Sequence, residues 1–265
     1  MRQEQVIGAA LDALSNRWGE RFRVIAVPDE IERALPAVDM LVEGNGGRQL
    51  VVEHTIVESF DDRILDDVLF EALATRVQDL LKGRLPGPGH YRIVLQPGAL
   101  LRVKKDLNPI ALAIAVWAER VAEGLELGSP SSAPRHFMTE LLVPWGLEVR
   151  LERWPRRDGS VLTSRAVPED LSDRRRVRIA RALQDKCPKL AAARGDTRES
   201  ILVLESNDLA LGNYVEIATA VESELENRHD IPDVVCLVET DAGLVVWLVK
   251  ERESVFPDIT NPGPL

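Results

Sequence analysis

The tetrapeptide Gly44-Asn45-Gly46-Gly47 constrains the fold of this chain more than any other segment. It separates residues 38–43 from residues 50–55, two short stretches rich in β-branched and apolar side chains that are typical of strands. Asn and Gly tolerate positive φ, so a chain can reverse tightly at such a sequence. The sequence therefore predicts a β-hairpin.

The length of the hairpin loop decides which side chains share a face. Side chains alternate between the two faces of a strand, so a shift of one residue moves every side chain to the other face. A three-residue loop, Asn45-Gly46-Gly47 with a left-handed glycine, places Asp39 opposite Glu53, whereas a two-residue loop separates them. The double glycine favours the three-residue loop, in which the two Cβ atoms would lie roughly 5 Å apart.

Two carboxylates at that spacing point to a metal site. Their like charges repel, so the pair either retains a proton or recruits a hard divalent cation. We predict that Asp39 and Glu53 bind Mg²⁺ or Mn²⁺, which would activate a water and neutralise charge on a phosphoryl group. The alternative is that both acids lie on the solvated face of an ordinary hairpin.

Hydrophobic periodicity predicts an α/β fold with a central mixed β-sheet flanked by helices. Residues 1–125 are expected to form an α-β-β-β-α-β core, 126–170 an insertion or subdomain joint, and 171–265 an α/β extension packed on the same body. Within the joint, residues 147–154 and 161–166 are expected to form a hairpin. The helices are predicted at 2–18, 61–82, 109–123, 171–193 and 209–227, and the remaining strands at 22–27, 91–96, 201–204, 234–239 and 244–250.

This order, with an acid on the second strand and an acid on the third, resembles the PD-(D/E)XK nuclease superfamily. The resemblance covers about residues 1–97, with Asp39 as the isolated acid and Glu53-His54-Thr55 as the E-x-K element. It implies a restriction-endonuclease-like core in the N-terminal half and metal-dependent hydrolysis of phosphodiester bonds in nucleic acid. The N-terminal helix of that superfamily often adds an acid, for which Glu4 and Glu20 are the candidates here.

The sequence departs from the superfamily where Thr55 replaces the usual lysine. A neutral threonine offers a hydroxyl or carbonyl contact but no positive charge for the attacking water. Lys186 and Lys189, three residues apart on a predicted helix, share a face and are candidates to supply that charge. Two alternatives stay open: an inactive nuclease-like fold that acts as an interaction or regulatory module, and a hydrolase of small molecules that uses the same acids.

The net charge of the chain argues against binding to nucleic acid, whereas a run of arginines argues for it. With 33 basic and 43 acidic residues the net charge is -10, which disfavours nonspecific association with phosphates. The predicted nucleic-acid contacts are Arg174, Arg175 and Arg178, although such a run also occurs on an ordinary solvated helix face.

Several other classes of site and location are excluded or disfavoured. No apolar stretch is long enough for a membrane span, and the first residues do not resemble a secretory signal, so we expect a cytoplasmic protein without a membrane partner. The two cysteines form neither a zinc motif nor a disulfide framework. His54 points away from Glu53 on a regular strand and is expected to be a packed or surface residue.

Overall fold

The computed structural model describes residues 3–28, 37–58, 62–87, 89–125, 137–155, 160–167, 170–207, 214–226, 228–240 and 243–255. The chain divides into two compact units. The first contains Met1–Ser59 and Asp170–Leu265, and the second contains Phe60–Glu169. In the sequence, the second unit therefore lies between the two segments that form the first.

The first unit contains α1, β1–β3, α4, β8, α5 and β9–β11. Their bounds are α1 Gln3–Trp18, β1 Phe22–Ala26, β2 Met40–Gly44, β3 Gln49–Ile56, α4 Leu171–Arg194, β8 Arg198–Ser206, α5 Tyr214–Leu225, β9 Val234–Glu239, β10 Val245–Glu251 and β11 Ser254–Val255. The strands form one seven-stranded sheet with the order β1-β2-β3-β8-β9-β10-β11. β3, β8 and β9 run parallel, and the pairs towards both edges are antiparallel.

Helices cover both faces of this sheet. The apolar stripe of α1, which includes Val6, Ile7 and Leu14, packs on one face. The buried sides of α4 and α5 pack on the other face, where Val51 of β3 contributes to the core. Because both faces are covered, the central strands read as nearly continuous apolar runs. A polar side chain in these strands is therefore removed from water.

The described residues of the second unit form a four-stranded sheet, two α-helices and one 3₁₀ helix. Its sheet has the order β5-β6-β4-β7. Both α-helices contribute to one apolar core with β4 and β6. The element bounds are α2 Arg63–Leu81, β4 His90–Leu95, the 3₁₀ helix Ala99–Arg102, α3 Leu107–Ala122, β5 Phe137–Leu142, β6 Leu147–Trp154 and β7 Val161–Arg165.

The structure corrects the predicted domain organisation. The helix and strand expected to complete an N-terminal core, now α2 and β4, belong to the second unit, so 1–125 is not one core. The segment from Asp170 onward does extend the sheet of the N-terminal strands, since β8 pairs with β3. Periodicity reports the type of an element but carries no information on its strand partner, which explains the error.

The predicted hairpin of residues 147–154 and 161–166 is also wrong. β6 and β7 both exist, but they pair with opposite edges of β4, antiparallel and parallel respectively. Its expected turn at 157–159 lies outside the described residues. As for membranes, none of the helices in the described parts of the chain has the length and apolar character that crossing a bilayer requires.

The turn between β2 and β3 is the predicted three-residue loop. The amide of Gly44 donates to the carbonyl of Arg48, 2.8 Å away, which closes a loop of Asn45, Gly46 and Gly47. Gly47 has φ of 86°, in the left-handed region that side chains with Cβ rarely adopt. The loop therefore sets the register that the double glycine predicts.

Replacing this glycine is expected to destabilise the protein. Gly47→Ala forces a Cβ into the left-handed region and should lower the free energy of unfolding by about 1 kcal/mol. The matched control is Gly8→Ala within α1, where a Cβ meets nothing within 4 Å. The control should gain about 0.5–1 kcal/mol because alanine favours a helix. Urea unfolding measures both, and a neutral or stabilising Gly47→Ala would contradict the assigned loop.

Candidate functional site

The hairpin register brings Asp39 and Glu53 together on one face. Met40 pairs with Val52, so the preceding residue, Asp39, lies opposite Glu53. Asp39 sits at the bend just before β2, and its Oδ2 accepts a hydrogen bond from the backbone amide of His54 at 2.7 Å. This contact fixes the Asp39 carboxylate against β3.

Glu53 is the most unusual polar residue of the sheet because it is 0% exposed. It lies on the same face of β3 as Val51, which belongs to the core under α4 and α5. Its Oε1 is buried and has no hydrogen-bond partner. Burial raises the pKa of Glu53 above its usual value, and the nearby charge of Asp39 raises it further, while Lys186 opposes both effects.

Lys186 brings a positive charge to the two acids from α4. Its Nζ lies 2.5 Å from Glu53 Oε2 and 4.0 Å from Asp39 Oδ2. The helix presents it inward because the adjacent Cys187 and the nearby Leu183 and Leu190 are buried in the core. The two acids and the lysine thus form one cluster, to which β3 and α4 contribute from distant parts of the sequence.

Lys189 and Thr55 lie at the margin of this cluster. The charge of Lys189 also acts to lower the pKa of Glu53, although more weakly than that of Lys186. Thr55 follows Glu53 by two residues on β3 and therefore shares its face of the sheet. Both predicted residues are thus placed beside the cluster, but only Lys186 bonds directly to Glu53.

Sequence reasoning missed the partner of His54, which is Glu205. His54 points to the opposite face of β3, as predicted, and its Nε2 lies 2.8 Å from Glu205 Oε2 with both side chains buried. Thr240 Oγ1 lies 3.5 Å from the other oxygen of Glu205. The only signal in the sequence is that Glu205 ends an apolar run, which does not reveal the parallel pairing of β8 with β3.

The arginines predicted to contact nucleic acid already interact within the chain. Arg174 Nε pairs with Asp170 Oδ1 at 2.8 Å. Arg175 is 9% exposed, and its Nη1 lies 3.5 Å from Glu216 Oε2 of α5. Arg178 also has an interaction within the chain. These contacts tie Arg174 and Arg175 to neighbouring acidic residues, and the role of the three arginines in nucleic-acid binding stays a prediction.

The two acids suggested for α1 and its surroundings do not join the cluster. Glu20 Oε1 accepts a hydrogen bond from the amide of Gly46 at 2.9 Å, which places it at the turn end of the hairpin. Glu4 is exposed on α1. Asp39 and Glu53 are therefore the two carboxylates that the structure brings together here.

The donor set of the cluster fits a hard cation of the magnesium type. Mg²⁺ commonly takes one or two carboxylates and completes its shell with water or substrate oxygens. The unpaired Oε1 of Glu53 is an acceptor that a cation would satisfy. Among the residues that the structure describes there is no group of three or more His, Cys, Asp or Glu side chains placed to hold a metal. Among the described residues, Asp39 and Glu53 are the carboxylates that would hold a cation here, with water or substrate oxygens completing its shell.

Glu53→Gln is expected to stabilise the protein at neutral pH. A carboxyl whose folded pKa is raised makes stability fall as pH rises from the usual pKa of 4.5 through the higher pKa of the folded state. The isosteric amide removes that cost and can still accept a bond from Lys186. We expect a gain of roughly 1 kcal/mol at pH 7, or about 2–4 °C in Tm, that disappears in acid.

The matched control is Glu43→Gln on the same hairpin. Arg23 lowers the pKa of Glu43 by a hydrogen bond and by its charge, so this carboxylate contributes stability above its usual pKa that is lost in acid. Its substitution should slightly lower Tm at pH 7. Melting curves from pH 4 to 8 measure both variants, and a lower Tm for Glu53→Gln at pH 7 would contradict the inferred cost of burial.

Comparisons with known proteins add no family assignment. The chain matches no protein-family model, no curated protein and no solved structure.

Proposed function

We propose that this chain is a metal-dependent phosphodiesterase that hydrolyses nucleic acid, with Asp39 and Glu53 as cation ligands and Lys186 as the assisting cation. The observation that carries the proposal is the contact of Lys186 Nζ with Glu53 Oε2 at 2.5 Å and its approach to Asp39 Oδ2 at 4.0 Å. A fully buried glutamate beside a second carboxylate and a lysine is a costly arrangement that is typical of functional sites.

The element order supports the resemblance to the PD-(D/E)XK superfamily. When Phe60–Glu169 is treated as an insertion, the first unit reads α1-β1-β2-β3-α4-β8, which is the order α-β-β-β-α-β. In this alignment Asp39 precedes the second strand and Glu53 lies on the third. A restriction-endonuclease-like core is thus proposed for the first unit rather than for the N-terminal half.

In this proposal Lys186 acts as the lysine of the superfamily's E-x-K element, because Thr55 stands at that position in this chain. Its ammonium contacts Glu53 although it comes from α4, and this contact supports giving it the role of the E-x-K lysine. Beside a phosphate, this group would orient the attacking water and stabilise the charge that develops on phosphoryl oxygens. Thr55 would contribute a hydroxyl or carbonyl contact, and Lys189 a second positive charge.

The carboxylates of Asp39 and Glu53 are each held in position by the chain itself. Asp39 is held by the amide of His54, so its carboxylate is positioned before any ligand arrives. Glu53 is held by burial. A divalent cation between them would supply charge neutralisation and a water of lowered pKa.

Hydrolysis of DNA and RNA oligonucleotides with Mg²⁺ or Mn²⁺ tests this proposal. Wild-type protein should cleave, and Asp39→Asn and Glu53→Gln should remove metal-dependent cleavage. Lys186→Met should slow it by about 10²–10³-fold because a positioned charge is lost. Glu43→Gln, an acid of the same hairpin outside the cluster, should retain activity. Cleavage that survives in Asp39→Asn or Glu53→Gln would contradict the assignment.

A second candidate function is an inactive nuclease-like module that binds a partner. It is favoured by one observation: the ammonium of Lys186 neutralises one acid of the cluster within the chain itself. On this hypothesis the folded protein shows neither hydrolysis nor a rise of Tm with Mg²⁺ or Mn²⁺, since a cation that binds only the folded state would raise Tm.

A further inference from the structure

The ammonium of Lys186 occupies the place that a divalent cation would need. Its Nζ lies 2.5 Å from Glu53 and 4.0 Å from Asp39. A cation bound by both acids would lie at a similar position, and two positive groups at that spacing repel strongly in a buried setting. Lys186 therefore has to leave Glu53 when a cation enters.

The displaced side chain stays close to the site. The helix residues around it, Leu183, Cys187 and Leu190, are at most 1% exposed, so α4 is held against the sheet. Only the flexible stem of Lys186 is available to move. Its side chain is 18% exposed in the ion pair with Glu53.

With a divalent cation bound, the cluster carries a net positive charge that favours binding of an anion. The two carboxylates carry two negative charges, whereas a divalent cation with Lys186 carries three positive ones. Lys189, whose charge also reaches Glu53, adds a fourth. A phosphate beside the cation would pair with the released ammonium and restore the balance.

We propose that a divalent cation and a phosphate-bearing ligand bind this cluster together, each raising the affinity for the other, with Lys186 passing from Glu53 to the phosphate. The inference rests on the proposed function because it uses the same acid pair. The cation alone binds weakly, because it displaces Lys186 from Glu53 and no anion replaces that partner. By thermodynamic linkage the two effects are equal in size.

Titration of the protein with Mn²⁺, with and without inorganic phosphate, tests the inference. The electron paramagnetic resonance signal of free Mn²⁺ gives the Kd of the protein for Mn²⁺. Samples without protein correct for Mn²⁺ that is bound by phosphate itself. Phosphate should lower the Kd of wild-type protein for Mn²⁺ at least about fivefold. An unchanged Kd would overturn the inference.

Variants of Lys186 identify the group that couples the two ligands. Lys186→Met should bind Mn²⁺ alone at least about fivefold more tightly than wild type and should lose the response to phosphate. Lys186→Arg keeps the positive charge and should keep the response. The matched control is Lys104→Met, an exposed lysine of the second unit, which should behave as wild type. Weaker Mn²⁺ binding by Lys186→Met would overturn the inference.

The outcomes separate this inference from the proposed function. Binding of Mn²⁺ that depends on Asp39 and Glu53 but ignores phosphate overturns the coupling and leaves the metal site standing. Coupled binding without hydrolysis of any oligonucleotide supports the coupling and contradicts the phosphodiesterase. Absence of Mn²⁺ binding in wild type and in Lys186→Met, with or without phosphate, overturns both.

Discussion

A carboxylate with no exposure to water, that of Glu53, lies in a central strand of the seven-stranded sheet and is balanced by the ammonium of Lys186 at 2.5 Å. Removing two charges from water costs several kcal/mol per ion in general, and their attraction repays that cost only in favourable geometry. Here the raised pKa of Glu53 indicates that burial outweighs the attraction of Lys186. An apolar residue at position 53 would stabilise the sheet more than Glu53 does. We therefore attribute this carboxylate to a chemical role and not to the stability of the fold.

The two halves of this ion pair come from segments that the second unit separates in sequence. Glu53 belongs to β3, and Lys186 belongs to α4, which follows Phe60–Glu169. What joins them is the parallel pairing of β3 with β8, which runs from Gln49 opposite Arg198 to Ile56 opposite Glu205. The cluster therefore exists only when both segments of the first unit fold together, and it does not depend on a lysine in the E-x-K position.

Local structure was readable from the sequence, and long-range pairing was not. The Asn45-Gly46-Gly47 loop follows from backbone sterics, so the register of Asp39 and Glu53 could be predicted from the double glycine. Lys186 and Lys189 could be named as candidates from their spacing and from the need for a positive charge, but the contact of Lys186 with Glu53 appears only in the structure. The partner of β3 was out of reach because apolar runs in parallel strands resemble one another and carry no mark of pairing. For the same reason the pairing of His54 with Glu205, and the engagement of Arg175 by Glu216, appeared only in three dimensions.

Diffraction from crystals soaked in Mn²⁺ and phosphate shows whether Asp39 and Glu53 share a cation. We expect an anomalous peak about 2–2.5 Å from an oxygen of each acid, with Lys186 withdrawn from Glu53. The same soak of Glu53→Gln crystals should show no peak there. A wild-type crystal with no anomalous density at the acids, and with Lys186 still paired with Glu53, would show that Asp39 and Glu53 do not form a shared cation site.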